Sequence, residues 1–201
     1  MHLIILIFLL IPAMCFARSS DELLYFPTTT GSTWIYEGLA AGNAGLKVRV
    51  LKSDGDNFAF FHVGGFVEME ATIFYEKRGS KLLRVATQNI IEGYSKSIYP
   101  YIELVLPIKT GTTWQFDMSS KYYQKCRMDM VDSYTVKAGT FNAIAKRSCT
   151  YYEKKSKKSK KGKEEEVGND VSYFAPNVGL IKKMGEKEKE TYLELTQYTI
   201  R

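Results

Sequence analysis

Leu46-Lys-Val-Arg-Val50 and, further on, Val67-Glu-Met-Glu-Ala-Thr-Ile-Phe-Tyr-Glu76 are the stretches that decide the fold class. In the first, Leu46, Val48 and Val50 alternate with Lys47 and Arg49. In the second, Val67, Met69, Ala71, Ile73 and Tyr75 alternate with Glu68, Glu70 and Glu76. A hydrophobic period of two means that successive side chains point to opposite faces, one dry and one wet, which describes a half-buried strand. The rhythm returns in Ile98, Ile102, Leu104 and Leu106, and again in Leu193 and Leu195. Between the runs lie Ala41–Gly45, Asp54–Asn57, Arg78–Ser80, Lys137–Thr140 and Met184–Glu186. These are rich in Gly, Asn and Asp, which tolerate the positive φ of tight hairpin turns. The expectation is an all-β antiparallel meander of about ten or eleven strands, forming a curled sheet or a partly closed barrel. No helical stripe is present, apart from a turn around Ile90 to Ser95.

One strand is apolar on both faces: Phe58 and Phe60 on one, Phe61 on the other, with Phe66 beyond. That composition predicts burial on two sides, and Gly64-Gly65 predicts a bulge or a close approach to the backbone. His62 shares the face of Phe58 and Phe60 and reads as a core histidine.

Phe26-Pro27-Thr-Thr-Thr-Gly31-Ser-Thr-Trp34-Ile-Tyr36 is echoed by Leu106-Pro107-Ile-Lys-Thr-Gly111-Thr-Thr-Trp114-Gln-Phe116. Proline stiffens the approach to a strand, glycine allows the bend, and tryptophan is the first large side chain delivered to the core. A partial third copy is Phe174-Ala-Pro176-Asn-Val-Gly179-Leu180. The echo reads as structurally equivalent strand entrances in a duplicated layout; a duplicated ligand site is the functional counterpart of that reading.

The N-terminus reads MHLIILIFLLIPAMCFA, with no Lys, Arg, Asp or Glu through Ala17. Its apolar run is too short to span a bilayer and suits a signal peptide over residues 1–17, cleaved after Ala17. Lipidation at Cys15 is the rival use, although Pro12-Ala13-Met14 fits the required upstream pattern poorly. Export leaves residues 18–201 as a single domain with two cysteines, Cys126 and Cys149, and an even count in an oxidising compartment predicts a structural disulfide. If the hairpin turn is centred on Lys137-Ala138 the two cysteines stand opposite each other. A four-residue loop, Lys137 to Thr140, would put Cys126 beside Tyr151 and require a bulge at Gly139.

The formal net charge is +6, and much of the basic character lies in one place. Lys154, Lys155, Lys157, Lys158, Lys160, Lys161 and Lys163 crowd into a Lys-rich hairpin loop over 154–166, with Glu164, Glu165 and Glu166 at its end. Such a run cannot join a core and reads as a solvated tip; its functional counterpart is contact with lipid headgroups or another anionic envelope surface. Export and the lack of interleaved aromatics argue against nucleic acid. Tyrosine and phenylalanine, 14 and 11 in number, make cross-strand pairs by default, or line a face for an apolar or sugar ligand.

Catalytic searches return little. No phosphate-binding glycine loop, HExxH helix or Cys-x-x-Cys pair occurs, and a Ser-His-Asp triad would have His62 alone to draw on. Asp54-Gly-Asp56 reads as a turn rather than a calcium loop, and Glu68 and Glu70 as a solvent face rather than paired carboxylates. No cofactor is expected.

Tyr25-Phe-Pro-x3-Gly-x2-Trp34-x-Tyr36, Val136-Lys-Ala-Gly-Thr-Phe141 and Tyr173-Phe-Ala-Pro-Asn-Val-Gly-Leu180 together resemble a family of uncharacterised exported bacterial proteins, lipoproteins among them. The resemblance implies an antiparallel β-fold and export and carries no catalytic residues over. The functional expectations are a non-enzymatic periplasmic or envelope carrier for an apolar or lipid-like ligand, or an interaction component of the envelope that meets another protein; a hydrolase ranks last.

Overall fold

The computed structural model describes residues 23–42, 45–64, 69–89, 93–154, 165–185 and 189–201. The leader with Cys15, the residues Phe66, Val67 and Glu68, the turn at Ile90, and Lys155 through Lys163 lie outside the described residues. Twelve strands follow one another: β1 (Thr33–Glu37), β2 (Leu46–Asp54), β3 (Asn57–Gly64), β4 (Met69–Arg78), β5 (Lys81–Asn89), β6 (Gly93–Val105), β7 (Thr113–Asp117), β8 (Tyr122–Val136), β9 (Gly139–Glu153), β10 (Glu165–Ala175), β11 (Gly179–Gly185) and β12 (Glu190–Thr199). Except for β6 and β7, strands adjacent in sequence pair antiparallel, and β12 returns to pair with β1. The result is a nearly closed barrel-shaped sheet with one unsealed seam, between β6 and β7. The expected meander is present, with one or two strands more than the turn count gave, because β1 and β7 are short.

The sequence echo falls on the two ends of this symmetry: Trp34 enters β1 and opens the first six strands, and Trp114 enters β7 and opens the second six. The backbone repeats too. Gly31 N–H donates to Val50 O and Val50 N–H to Ser32 O; Gly111 N–H donates to Met128 O and Met128 N–H to Thr112 O. Gly31 and Gly111 both sit at positive φ, 88° and 82°, a region that a Cβ disfavours. The third copy is different. Its Gly179, also at positive φ, ends the β10–β11 turn rather than opening a half.

Two segments fill the interior. Residues 23–31 cross it as a strap: Phe26 packs against Phe60 and Tyr75, with ring centroids 5.0 Å away in each case. The Tyr25 hydroxyl donates to Ala143 O at 2.7 Å, and Asn177 N–H donates to Leu24 O at 2.6 Å. The tip of the β8–β9 hairpin folds in against β12 and β1, where Ala138 N–H donates to Leu195 O and Lys137 pairs with Glu37. Trp34, Val50, Phe58, Phe60, Leu82, Leu104, Met128, Ile144, Phe174, Ile181 and Leu195 make the core around them.

Two strand readings change. Ile98 does not share a stripe with Leu104: it is 88% exposed. Glu103 is an extra residue in β6 that sets Leu104 against Leu82 but Ile102 against Leu83, and residues 97–100 leave the β5 ladder altogether. Bulges shift a period of two out of phase. β3 is also not buried on both sides. Phe58 and Phe60 face the core, while Phe61 lies half-buried in a shallow outer groove with Lys47, Arg49 and Val63. Gly64 does allow a close approach, since a Cβ there would lie 2.3 Å from Gly45 O.

Candidate functional site

Among the described residues the interior retains a cavity of about 100 Å³. The strap supplies Phe26 and Pro27, β1 supplies Trp34 and Tyr36, β2 and β3 supply Val48, Phe60 and His62, and the β10–β11 turn supplies Val178, Gly179 and Leu180. Period-two alternation in β1 to β3 aims these side chains inward. The motifs at residues 25–36 and 173–180 therefore meet in space. Trp34 Nε1 donates to Val178 O at 2.6 Å and Tyr36 Oη to Leu180 O at 2.9 Å, while Pro27 packs on Gly179, where a Cβ would come within 3.1 Å of its ring. The walls are apolar except for His62, Tyr75 and Glu103. His62 Nε2 has no hydrogen-bond partner among the described residues. Burial, aided by the nearby Arg84 charge, pushes its pKa down to about 4, so the imidazole is neutral at pH 7. Burial, and next the Glu103 carboxylate, push the Tyr75 phenol up, keeping it protonated. What this arrangement offers a guest is dispersion contact on most sides and a neutral imidazole as hydrogen-bond partner.

The inner wall of β6 to β10 is polar. In-register pairing places Gln124, Arg147, Tyr151, Asp170 and Ser172 on one face with the disulfide. Arg147 is fully buried. It donates through Nη1 to Glu103 O at 2.7 Å and to Glu103 Oε1 at 2.8 Å, and through Nη2 to Ser172 Oγ at 3.0 Å. Its guanidinium lies over the rings of Tyr101 and Phe174. Burial opposes its charge, but Glu103, Tyr101 and Asp170 outweigh that and hold it protonated. Arg147 thus ties β9 to the edge strand β6 from inside, and Tyr101 meets Phe116 edge-on at 4.9 Å across the seam. These contacts hold together two strands that share no ladder. Asp170 accepts from the Tyr151 hydroxyl and pairs with Lys183.

The cysteines form the expected bond. The turn is the two-residue one, Lys137-Ala138, so Cys126 and Cys149 stand directly opposite with Cα atoms 4.1 Å apart, and the bulge alternative falls away. Of the lysine run, only Lys154 is described, and it is no free surface charge: it pairs with Asp117 at 2.8 Å and donates to Ser119 O at 3.0 Å. Sequence reading missed Arg147 and Glu103, which stand among alternating residues that resemble any solvent face. A signal was present only as a charge where the strand phase demands an inward residue, at Arg147 between Ala145 and Cys149.

No protein-family model matches the chain, and no curated protein matches it. Among solved structures it is similar to a "putative lipoprotein" from Parabacteroides distasonis, at 14% identity and a TM-score of 0.44 over 88% of this chain and 98% of that one.

Proposed function

We propose that the protein is a non-enzymatic binding module of the bacterial envelope whose barrel interior holds a small apolar guest. The observation that carries this reading is the cavity of about 100 Å³ with apolar walls and a buried, unpartnered His62 Nε2. An engineered apolar cavity of about 150 Å³ takes up benzene. The space beside His62 therefore suits a guest of about five non-hydrogen atoms bearing one hydrogen-bonding group. The lipid-like end of the expectation shrinks accordingly, because the strap and the hairpin tip occupy the room a whole acyl chain would need. Export is supported by the disulfide, a bond of oxidising compartments. Charged side chains on the outer strand faces, Lys47, Arg49 and Arg127 among them, suit water rather than lipid around the barrel. An interaction role through the sheet edge ranks second: β6 is long and carries exposed Ile98, but Pro100 removes a donor and residues 97–100 leave the ladder.

Titration of residues 18–201 with straight-chain alcohols from ethanol to hexanol, followed by amide NMR shifts, tests the reading. Shifts should concentrate on strands β1 to β3 and the 176–180 turn, peak at about four or five carbons, and vanish in Val48→Phe, which fills the space. Uniform weak shifts across the barrel surface, unaltered in that variant, would refute it.

A further inference from the structure

The unsealed seam opens a second site, which shares no lining residue with the interior cavity. Between β5, β6 and the end of β7 lies a groove of about 540 Å³, within the ~300–1,000 Å³ range of small-molecule sites. Its walls combine two kinds of chemistry. Arg84, Thr87, Asn89, Ser95 and Ser97 supply donors and acceptors together, and Tyr99, Tyr101 and Phe116 supply ring surface. Among the described residues no carboxylate lines it, and Arg84 is the one charged group among its described lining residues. Arg84 Nη2 is already held by Thr87 Oγ1 at 3.0 Å, and Ser97 Oγ donates to Tyr99 O at 2.7 Å. The polar rim is therefore oriented by its own contacts before any ligand arrives, which lowers the ordering cost of binding. Tyr101 is fixed between Phe116 and the Arg147 guanidinium, and Tyr99 remains 37% exposed.

The geometry points to a carbohydrate site: a neutral mono- or disaccharide seated in the seam, its hydroxyls on the Arg84, Asn89 and Ser97 side and its C–H face on the tyrosines. Hydroxyls donate and accept at once, and so require the mixed donor and acceptor set present here. Aromatic rings with polar tips suit a ligand that is apolar on one face and wet on its edge. An extended peptide added to the β6 edge fits less well, because the proline and the excursion at 97–100 interrupt the row of backbone groups such a strand would read.

Calorimetric titration of residues 18–201 with cellobiose, N,N′-diacetylchitobiose and digalacturonic acid decides it. At least one neutral disaccharide should bind, at least tenfold more weakly in Tyr99→Ala and in Asn89→Ala, while the urea midpoint of Tyr99→Ala stays that of the parent. Arg84→Gln should weaken the neutral sugar by less than tenfold. Binding of the acidic dimer alone, binding that survives both substitutions, no sugar binding by a protein whose folding is verified by circular dichroism, or uptake of a pentapeptide along β6 instead would each overturn the assignment.

Discussion

The two six-strand halves start from the same eleven-residue pattern and build opposite interiors. Trp34 is buried and its indole N–H reaches Val178 O; Trp114, at the equivalent entrance, is half-buried and its Nε1 has no hydrogen-bond partner among the described residues. The two entrances also face different turns: Trp34 donates to Val178 O of the 176–178 turn and Leu24 O accepts from Asn177 N–H of the same turn, whereas Leu106 N–H donates to Ser80 O in the two-residue β4–β5 turn. Inside, β1 to β3 present Trp34, Val48, Val50, Phe58 and Phe60, but β8 to β10 present Gln124, Arg147 and Asp170 beside the disulfide. Arg147 Nε and Asp170 Oδ1 have no hydrogen-bond partner among the described residues. A shared entrance motif therefore fixes where a half begins, and the strands after it decide whether the half closes on itself or needs tethers. The first is held by packing. The second depends on a covalent bond and a buried ion pair.

The sharpest way to break that contrast is Arg147→Met. Leaving Glu103 half of a broken buried pair should cost about 3–5 kcal/mol, read as a fall in the urea midpoint. Arg147→Met/Glu103→Leu should recover much of it, since a hydrophobic replacement of a buried pair is often neutral. A loss below about 1 kcal/mol for the single variant, the scale of an exposed ion pair, would mean that the seam does not rely on this clamp. Next in size is the disulfide. Closing a loop with a sequence separation of 23 is worth about 3 kcal/mol by loop entropy. Cys126→Ala/Cys149→Ala should lose that amount, with hydrogen exchange rising in β8 and β9 before β1 to β3; uniform exchange over both halves would contradict the division.

How much of this was legible depended on whether the information was local. Leu46-Lys-Val-Arg-Val50 disclosed its faces because nothing interrupts β2 there, and the glycine turns disclosed their hairpins. The disulfide register hung on one turn length, which Lys137-Ala-Gly-Thr140 left open between two answers. β6 was misread because its phase is set by bulges at Glu103 and residues 97–100, and a bulge has no signature in hydropathy. The cavity combined both cases. Its motifs were visible as separate strings, but the hydrogen bond from Trp34 to Val178 spans 144 residues, and only the return of β12 to β1 brings those strings together.

Strands β1 to β3 carry one unpartnered buried polar side chain among the described residues, His62, and pH exposes it. Its folded pKa of about 4 lies below the ordinary value of 6.5. On acidification the unfolded chain takes up the proton first, so stability falls as pH drops below about 6.5 and goes on falling until about 4. Between pH 7 and pH 5 the loss should be about 2 kcal/mol, and His62→Gln should remove that slope. An unchanged slope in the variant would show that the imidazole is as accessible to protons folded as unfolded.

The smallest effect returns to the two entrances themselves. Trp34→Phe and Trp114→Phe remove similar ring area, but only the first withdraws a donor from a buried carbonyl, Val178 O. Trp34→Phe should therefore be the more destabilising by about 1–2 kcal/mol. Because the chain has two tryptophans, each variant also leaves a single fluorophore. The one retaining Trp34 should emit at shorter wavelength than the one retaining half-buried Trp114. Equal stability losses with equal emission maxima would mean that the entrances are equivalent in solution, and that the asymmetry between the halves arises only from the strands that follow them.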